Sequence, residues 1–514
     1  MRLCAKQTQA SLPLLHSPLS STVTHPQKGH LFSLTSNTTT AFRNLEQAMR
    51  AADARMMGVS VLGRRETVIL RHPDDCAAVS RDQETYGKAN TGWRHLERWL
   101  GRGLVAESDV AHHAAVKEVL LPAFKAASVK GFVPLFAEVG EELADLIEGA
   151  AAKDPSKAYD VRNACRRATL DVIGKAAFGF NFGALGYAAA RLREGRGVEE
   201  GGGGAAAGSA GAVTDAQIGD ADCDVIGIFD AVLFPAMILL FELPFPQFMI
   251  PGIDGYFKGI EKLDAVIAKI IAAKRVGGPA ALEGGDILSF MLKAQAAGND
   301  VITDKQIRDE LQVFTLAGSD TTAATLSFAL YELSRHPEVQ EACAAEAAAL
   351  LGDGPSRGAS SAALQSQMPM LTAVINETLR LYPAATEYVR CTTKDVVLGG
   401  YAIKAGSFVL PSPYSTQRHP DYWPRPDEWL PERWLPQNAK ELAPHADKAW
   451  FPFAQGPRAC IGRYFSVLEL QTILAVLLRR LRFGRVEGYD AVTCENFTLS
   501  TVDGALVLPA TRAR

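Results

Sequence analysis

Residues 453–462 read Phe453-Ala-Gln-Gly456-Pro-Arg458-Ala-Cys460-Ile-Gly462, and a periodic helical segment, 463–480, begins directly after them. The position of one cysteine decides how this stretch is read. A cysteine at the amino end of a helix faces free backbone N–H groups and the positive end of the helix dipole, which favour thiolate over thiol. Only the thiolate is a strong metal ligand. The same N–H groups can hydrogen-bond the sulfur and tune the charge it donates, while Gly456 and Gly462 permit close backbone approach. Arg458 adds a forked cation suited to a carboxylate. Taken alone, the loop fits a buried, inert cysteine in a glycine-containing turn equally well.

Around this loop the chain reads as a mainly α fold with small β-sheets. Helical periodicity runs through 112–126, 130–151, 160–178, 254–274, 304–335, 338–351, 367–381 and 463–480. Short strands are expected at 58–63, 66–71, 395–398 and 407–411, with a late pair around 496–500 and 505–508 joined by Asp503-Gly504. The segment 198–212, VEEGGGGAAAGSAGA, is low in complexity and reads as a flexible surface loop. Gly101-Arg-Gly103-Leu-Val-Ala106 matches a dinucleotide fingerprint in form, but it follows a helical segment and not a strand, so it reads as a turn.

Composition excludes more than it selects. The 514 residues carry 53 Lys and Arg against 57 Asp and Glu, a net charge of -4 without a basic stripe, so nucleic-acid binding is not expected. The eight cysteines, 4, 76, 165, 223, 343, 391, 460 and 494, show no CxxC pair or disulfide framework, which points to a reducing, intracellular setting. Residues 1–44 lack acidic residues and are rich in Ser and Thr, as in an organellar transit peptide or a disordered leader. No apolar run at the amino terminus is long enough for a membrane anchor. The most apolar stretch, 225–250, is interrupted by Asp230, Pro235, Glu242, Pro244 and Pro246, and suits buried helices or a lid resting on a membrane.

The 453–462 loop resembles the haem-binding signature of the cytochromes P-450, Phe-x-x-Gly-x-Arg-x-Cys-x-Gly, at every fixed position. Further motifs follow in that family's order. Ala317-Gly318-Ser319-Asp320-Thr321-Thr322, inside the long 304–335 segment, resembles its oxygen-activation motif. Gly318 costs about 1 kcal/mol against alanine in a helix interior and Thr321 can bond back to the Ala317 carbonyl, so a locally weakened helix that opens a groove is expected. Asp320 and Thr321 are then placed to relay protons, which the cleavage of dioxygen requires. Glu377-Thr-Leu-Arg380 resembles the family's Glu-x-x-Arg, and Pro431-Glu432-Arg433-Trp434 its Pro-Glu-Arg-Phe with tryptophan substituted. A buried Glu377–Arg380 pair joined by Arg433 would fix the segment beneath the haem.

The resemblance implies one catalytic domain over 29–514 after a leader at 1–28, with haem b between the long distal helix and the cysteine-loop helix. Cys460 would be the iron ligand, within a loop shaped by Phe453, Gly456 and Gly462. Arg458, Arg390, His113 and Lys117 would hold the haem propionates, lysine at 117 standing where the family carries arginine. Phe314, Ala317, Ala385 and the 498–502 loop would touch the substrate. The implied activity is monooxygenation of a hydrophobic small molecule by dioxygen, with electrons from a separate NADPH-dependent reductase or ferredoxin. A haem-thiolate isomerase or dehydratase needing no external electrons, and a haem sensor or carrier without turnover, are the rival readings. Peripheral contact with a membrane and an organellar location stay open.

Overall fold

The computed structural model describes residues 47–51, 53–59, 66–89, 91–194, 225–240, 247–283, 285–352 and 361–512. The expected leader at 1–28, the 198–212 loop and the far half of the 58–63 strand lie outside these residues. The principal helices are α1 (Pro73–Arg81), α2 (Val110–Leu120), α3 (Val133–Lys153), α4 (Val161–Ile173), α5 (Val225–Leu240), α6 (Ile253–Val276), α7 (Asp304–Arg335), α8 (Pro337–Leu351), α9 (Pro369–Leu381) and α10 (Arg463–Arg480).

Helix α7 is the axis of the molecule. Thr303 caps it, its side chain accepting from Gln306 N at 3.1 Å, and the chain breaks at His336 before Pro337. Beyond its first turn it is buried on nearly every side, as a helix enclosed by others must be. Helix α4 crosses it closely enough for Thr169 Oγ1 to donate to Ser319 O at 2.9 Å. Helices α3 and α10 approach at Gly140, where an added Cβ would lie 3.3 Å from the Val476 side chain. Arg479 and Arg480, at the carboxyl end of α10, pair with Glu141, Asp145 and Glu148 of α3.

The strands are short. They are β1 (Met56–Val59), β2 (Thr67–Leu70), β3 (Tyr86–Gly87), β4 (Tyr159–Asp160), β5 (Arg390–Thr392), β6 (Val396–Leu398), β7 (Tyr401–Ile403), β8 (Phe408–Pro411), β9 (Leu481–Gly484), β10 (Thr493–Asn496), β11 (Thr498–Thr501) and β12 (Leu506–Thr511). A five-stranded sheet runs β1-β2-β8-β5-β3, a three-stranded one β4-β12-β9, and β6-β7 and β10-β11 are hairpins. The expected pairing of 496–500 with 505–508 is not formed. Strand β11 folds back on β10 through Phe497, at φ 69°, and β12 pairs with β4 and β9. Asp503-Gly504 serves as a docking turn: Ala505 N donates to Asp160 Oδ1 at 2.8 Å, and a Cβ at Gly504 would fall 2.5 Å from that carboxylate.

Helix α5 continues through Pro235, contrary to the interruption expected there, and Val232, Leu233 and Ala236 are buried around it. Its sixteen residues are too short to span a bilayer. Among the described residues no single helix is long and apolar enough to cross a membrane; the bent pair Val110–Phe124 and Ala126–Lys153 qualifies by composition, but supplies Leu120, Phe136 and Leu143 to the core.

Candidate active site

The cysteine loop is folded by its own backbone before α10 begins. Cys460 N donates to Phe453 O at 2.9 Å and Ala459 N to Gly456 O at 3.0 Å. The loop is seated on α1, because a Cβ at Gly456, whose φ is 71°, would lie 2.5 Å from Ser80 O. Gly456→Ala is therefore expected to destabilise the protein by about 1–3 kcal/mol, read as a lower thermal midpoint, because backbone on both sides must shift. Gly462 differs, with an ordinary φ of -85° and only Cys460 Sγ at 3.9 Å and Phe124 at 4.0 Å around an added Cβ. Any demand for glycine there comes from the cavity side. Lys117 Nζ ties the loop from α2, donating to Pro457 O at 2.7 Å and Ala459 O at 3.2 Å.

Cys460 opens into a cavity of about 350 Å³, within the range of small-molecule and cofactor sites. Burial pushes its thiol up from the ordinary value, and the Gly462 and Arg463 N–H groups and Lys117 pull it down without overcoming burial. The helix end contributes as expected, but does not alone produce a thiolate; a metal cation would supply the missing charge.

Gly318 and Thr321 face the cavity from α7, with Phe314, Ala317 and Ala385 as expected. Thr321 Oγ1 does donate to Ala317 O, at 2.7 Å, yet α7 runs unbroken through the motif instead of opening. The space beside Gly318 is taken by Ile173 of α4, whose Cδ1 would lie 2.6 Å from an added Cβ. The 498–502 loop does not border this cavity: Thr498 and Ser500 line a separate polar one, and Leu499 packs on Phe328 and Tyr414. Trp93, Leu104, Val105, Ile173 and Val313 join the wall instead, Ile173 from α4, Val313 from α7 and the others from the stretch before α2.

His113, Lys117, Arg390 and Arg458 do converge on the cavity rim, with a fifth member that sequence reasoning missed, Lys88. Burial and the neighbouring Arg390 and Arg458 hold Lys88 well below its usual range. Burial and Arg390 bring Arg458 down to about 10; burial and the surrounding cations bring His113 down to about 3. Arg458 is fixed by Gln83 Oε1 and Glu107 O, each at 2.6 Å, and Lys88 lies 4.4 Å from the centre of the Trp93 ring. Cations that depress one another across a cavity call for an anion between them. The two propionates of haem fit that demand, and Cys460 on the same cavity fits its iron.

Asp320 is not where the motif implied. It turns away from the cavity, 3.4 Å from Arg166 Nε and hydrogen-bonded by Thr498 Oγ1, in a polar cavity that also holds Asp160, Asp230 and Asp503. Arg166 Nη1 bonds Asp230 Oδ1 of α5 at 2.8 Å, so it bridges two helices. Glu377, Arg380 and Arg433 come together as expected, all fully buried. Arg380 holds Glu377 by Nη2 and Nε at 2.9 Å each, and Arg433 Nε reaches it at 3.2 Å. Trp434 is a further member, Nε1 donating to Glu377 Oε2 at 2.9 Å, which phenylalanine could not do. Burial pushes the Glu377 carboxyl up, but the two guanidiniums prevail and it lies below its usual value.

Residues 20–508 match the family model described as Cytochrome P450. Cytochrome P450 4c21 of Blattella germanica is 29% identical over 440 residues, covering 82% of this chain and 79% of that one. Leukotriene-B4 omega-hydroxylase 3 of Mus musculus is 38% identical over 202 residues, 38% of this chain and 37% of its own length. The chain thus matches only about 37% of the length of that relative and of the human cytochrome P450 4F3. The crystal structure of the cytochrome P450DA heme domain superposes with a TM-score of 0.79 at 24% identity, covering 98% of each chain, and shows the same fold. With a cysteine loop, a distal helix and a cation rim around one cavity, and a family match over nearly its whole length, the chain belongs to the cytochrome P450 family, with haem as its cofactor.

Proposed function

We propose that this protein is a haem-dependent monooxygenase, inserting one atom of dioxygen into a hydrophobic small molecule and reducing the other to water with two electrons and two protons. A separate NADPH-dependent reductase or ferredoxin supplies the electrons. The observation that carries this reading is the one cavity on which Cys460, Gly318 and Thr321 all open, together with five cationic or imidazole side chains. Bound haem supplies iron able to bind and activate dioxygen. Cys460 would hold the iron, and Lys88, His113, Lys117, Arg390 and Arg458 would hold its carboxylates.

The protein's own contribution is to shape the substrate space and deliver protons. Leu104, Val313, Phe314, Ala317 and Ala385 give that space an apolar wall, which excludes water and favours hydrophobic substrates. Likeness to a leukotriene-B4 omega-hydroxylase makes a lipid chain the first substrate class to test. Asp320 takes protons from the polar cavity behind α7 and, by swinging away from Arg166, would hand them to the Thr321 hydroxyl on the haem cavity. Exposed Phe248 and Met249, 81% and 56% accessible, support contact with a membrane surface.

The test is incubation with NADPH, reductase, labelled dioxygen and a fatty acid. One labelled oxygen in the product supports monooxygenation; turnover independent of NADPH and reductase, or product without label, contradicts it. Asp320→Asn keeps the shape and is expected to lower kcat by about 10²–10⁴-fold with substrate binding unchanged. An equal loss in binding affinity would mean that Asp320 only supports the fold.

A further inference from the structure

Two glutamates outside the haem cavity meet at one hydroxyl. Thr386 Oγ1 lies 2.6 Å from Glu387 Oε2 and 2.7 Å from Glu495 Oε1. A threonine hydroxyl carries one hydrogen and an ionised carboxylate none. Two contacts of this length need two hydrogens, and the second can come only from one of the carboxyl groups. Ser412 Oγ, 3.0 Å from Glu387 Oε1 and 3.2 Å from Thr386 O, faces the same limit of one hydrogen for two acceptors. The remaining oxygen, Glu495 Oε2, is buried with no hydrogen-bond partner among the described residues, so a full charge there would be costly.

The setting gives that proton a consequence. Glu495 is on β10, in the β10–β11 hairpin, and Leu499 N of the same hairpin donates to Ala384 O at 2.9 Å. Ala384, Ala385, Tyr388 and Val389, flanking Thr386-Glu387, line the haem cavity. The carboxyl pair and one backbone bond thus tie the hairpin to a wall of that cavity. Other titratable or charged groups facing these elements have their own partners: Tyr388 bonds Ser80 Oγ, Arg390 stacks on Tyr388 at 5.3 Å, Arg162, which acts on Cys494, donates to Thr501 O at 2.7 Å, and Asp320 of α7 accepts from Thr498 Oγ1 and pairs with Arg166.

We propose that Glu387 and Glu495 share one proton through Thr386, and that this proton fixes the β10–β11 hairpin against the 384–387 wall, so that its loss loosens the wall. Burial pushes Glu387 up to about 7, and burial with repulsion from Glu387 pushes Glu495 well above its usual value. In an open hairpin both carboxyls titrate near the ordinary carboxylate value, about 4.3. The stabilisation of the closed hairpin is therefore complete below about 4.3 and is lost as pH rises through 7. Glu387 and Glu495 are positioning residues. The proposal rests on the monooxygenase reading only in taking that wall to be the substrate's.

Hydrogen exchange of amides 493–501, measured on the haem-loaded protein at about pH 5.5 and about pH 8.5 and corrected for intrinsic rates, tests it without turnover. Wild-type protection is expected to fall at least about tenfold at the higher pH, one pK unit being one decade. Glu495→Gln supplies an amide N–H in place of the carboxyl proton and should keep protection flat; Glu387→Gln should do the same and serves if the first variant fails to fold. A pH-independent wild type, or the same fall in both glutamine variants, overturns the proposal. Failure of the monooxygenase reading would leave the exchange result as it stands.

Discussion

Glu377→Ala is expected to lower stability by about 3–5 kcal/mol, the usual consequence of removing one partner from a buried ion pair. The whole stability of a domain is about 5–15 kcal/mol, so this is a large fraction of it. The magnitude follows from what remains. Arg380 and Arg433 are both fully buried, and without the carboxylate two guanidiniums face one another across a cavity. Carbonyls of Pro424, Pro426, Gln417 and Glu428 still accept from them, but carry no net charge. The segment they organise leads directly into Trp450 and the cysteine loop, so the loop is expected to lose its order with the triad. Thermal unfolding and the haem content of the purified variant measure both. A midpoint within two or three degrees of wild type with full haem would show that the triad is dispensable. Trp434→Phe removes only one neutral donor to the same carboxylate and is expected to cost less, about 1–3 kcal/mol.

Cys460→Ser is expected to abolish oxygenation, by at least about 10³-fold, while leaving the fold intact. Serine is nearly isosteric, and the loop's bonds run through backbone atoms: Cys460 N to Phe453 O, and Lys117 to the carbonyls of Pro457 and Ala459. What is lost is a thiolate able to push electron density onto the iron, which a hydroxyl at neutral pH cannot replace. The cation rim is untouched, so the variant should still take up haem, less tightly. Comparing turnover with haem retention separates the two roles. Unchanged turnover in a haem-loaded variant would remove Cys460 from the chemistry.

The parts legible in the sequence are those fixed by neighbours along the chain. Helix α7 has its expected ends because Thr303 caps it and His336-Pro337 stops it. The cysteine loop and Glu377–Arg380 are local arrangements. Asp320 departs from its expected place because its partners, Arg166 and Thr498, are distant in sequence, and nothing local says which of Asp320 and Thr321 faces the haem cavity. Thr321 does, and Asp320 meets Arg166 behind the helix. Lys88, Leu104 and Val105 leave no trace in the local sequence because distant segments place them: Gly101 and Gly103 let their turn lie against Asp309 and Val313 of α7, and Glu310 Oε1 accepts from Leu104 N at 3.0 Å. The β10–β11 pairing is hidden because it turns on Phe497, a bulky residue at positive φ where glycine or asparagine is the usual sign. Pro235 signals a break in Val225–Leu240, yet packing on α6 carries the helix past it.

The ferrous carbon-monoxide difference spectrum of the purified, haem-loaded protein, wild type beside Cys460→Ser, tests thiolate ligation most directly. A strongly red-shifted Soret band in the wild type, absent from the serine variant, is the expected result. A band at the same position in both proteins would contradict ligation by Cys460 and with it the proposed chemistry of the cavity.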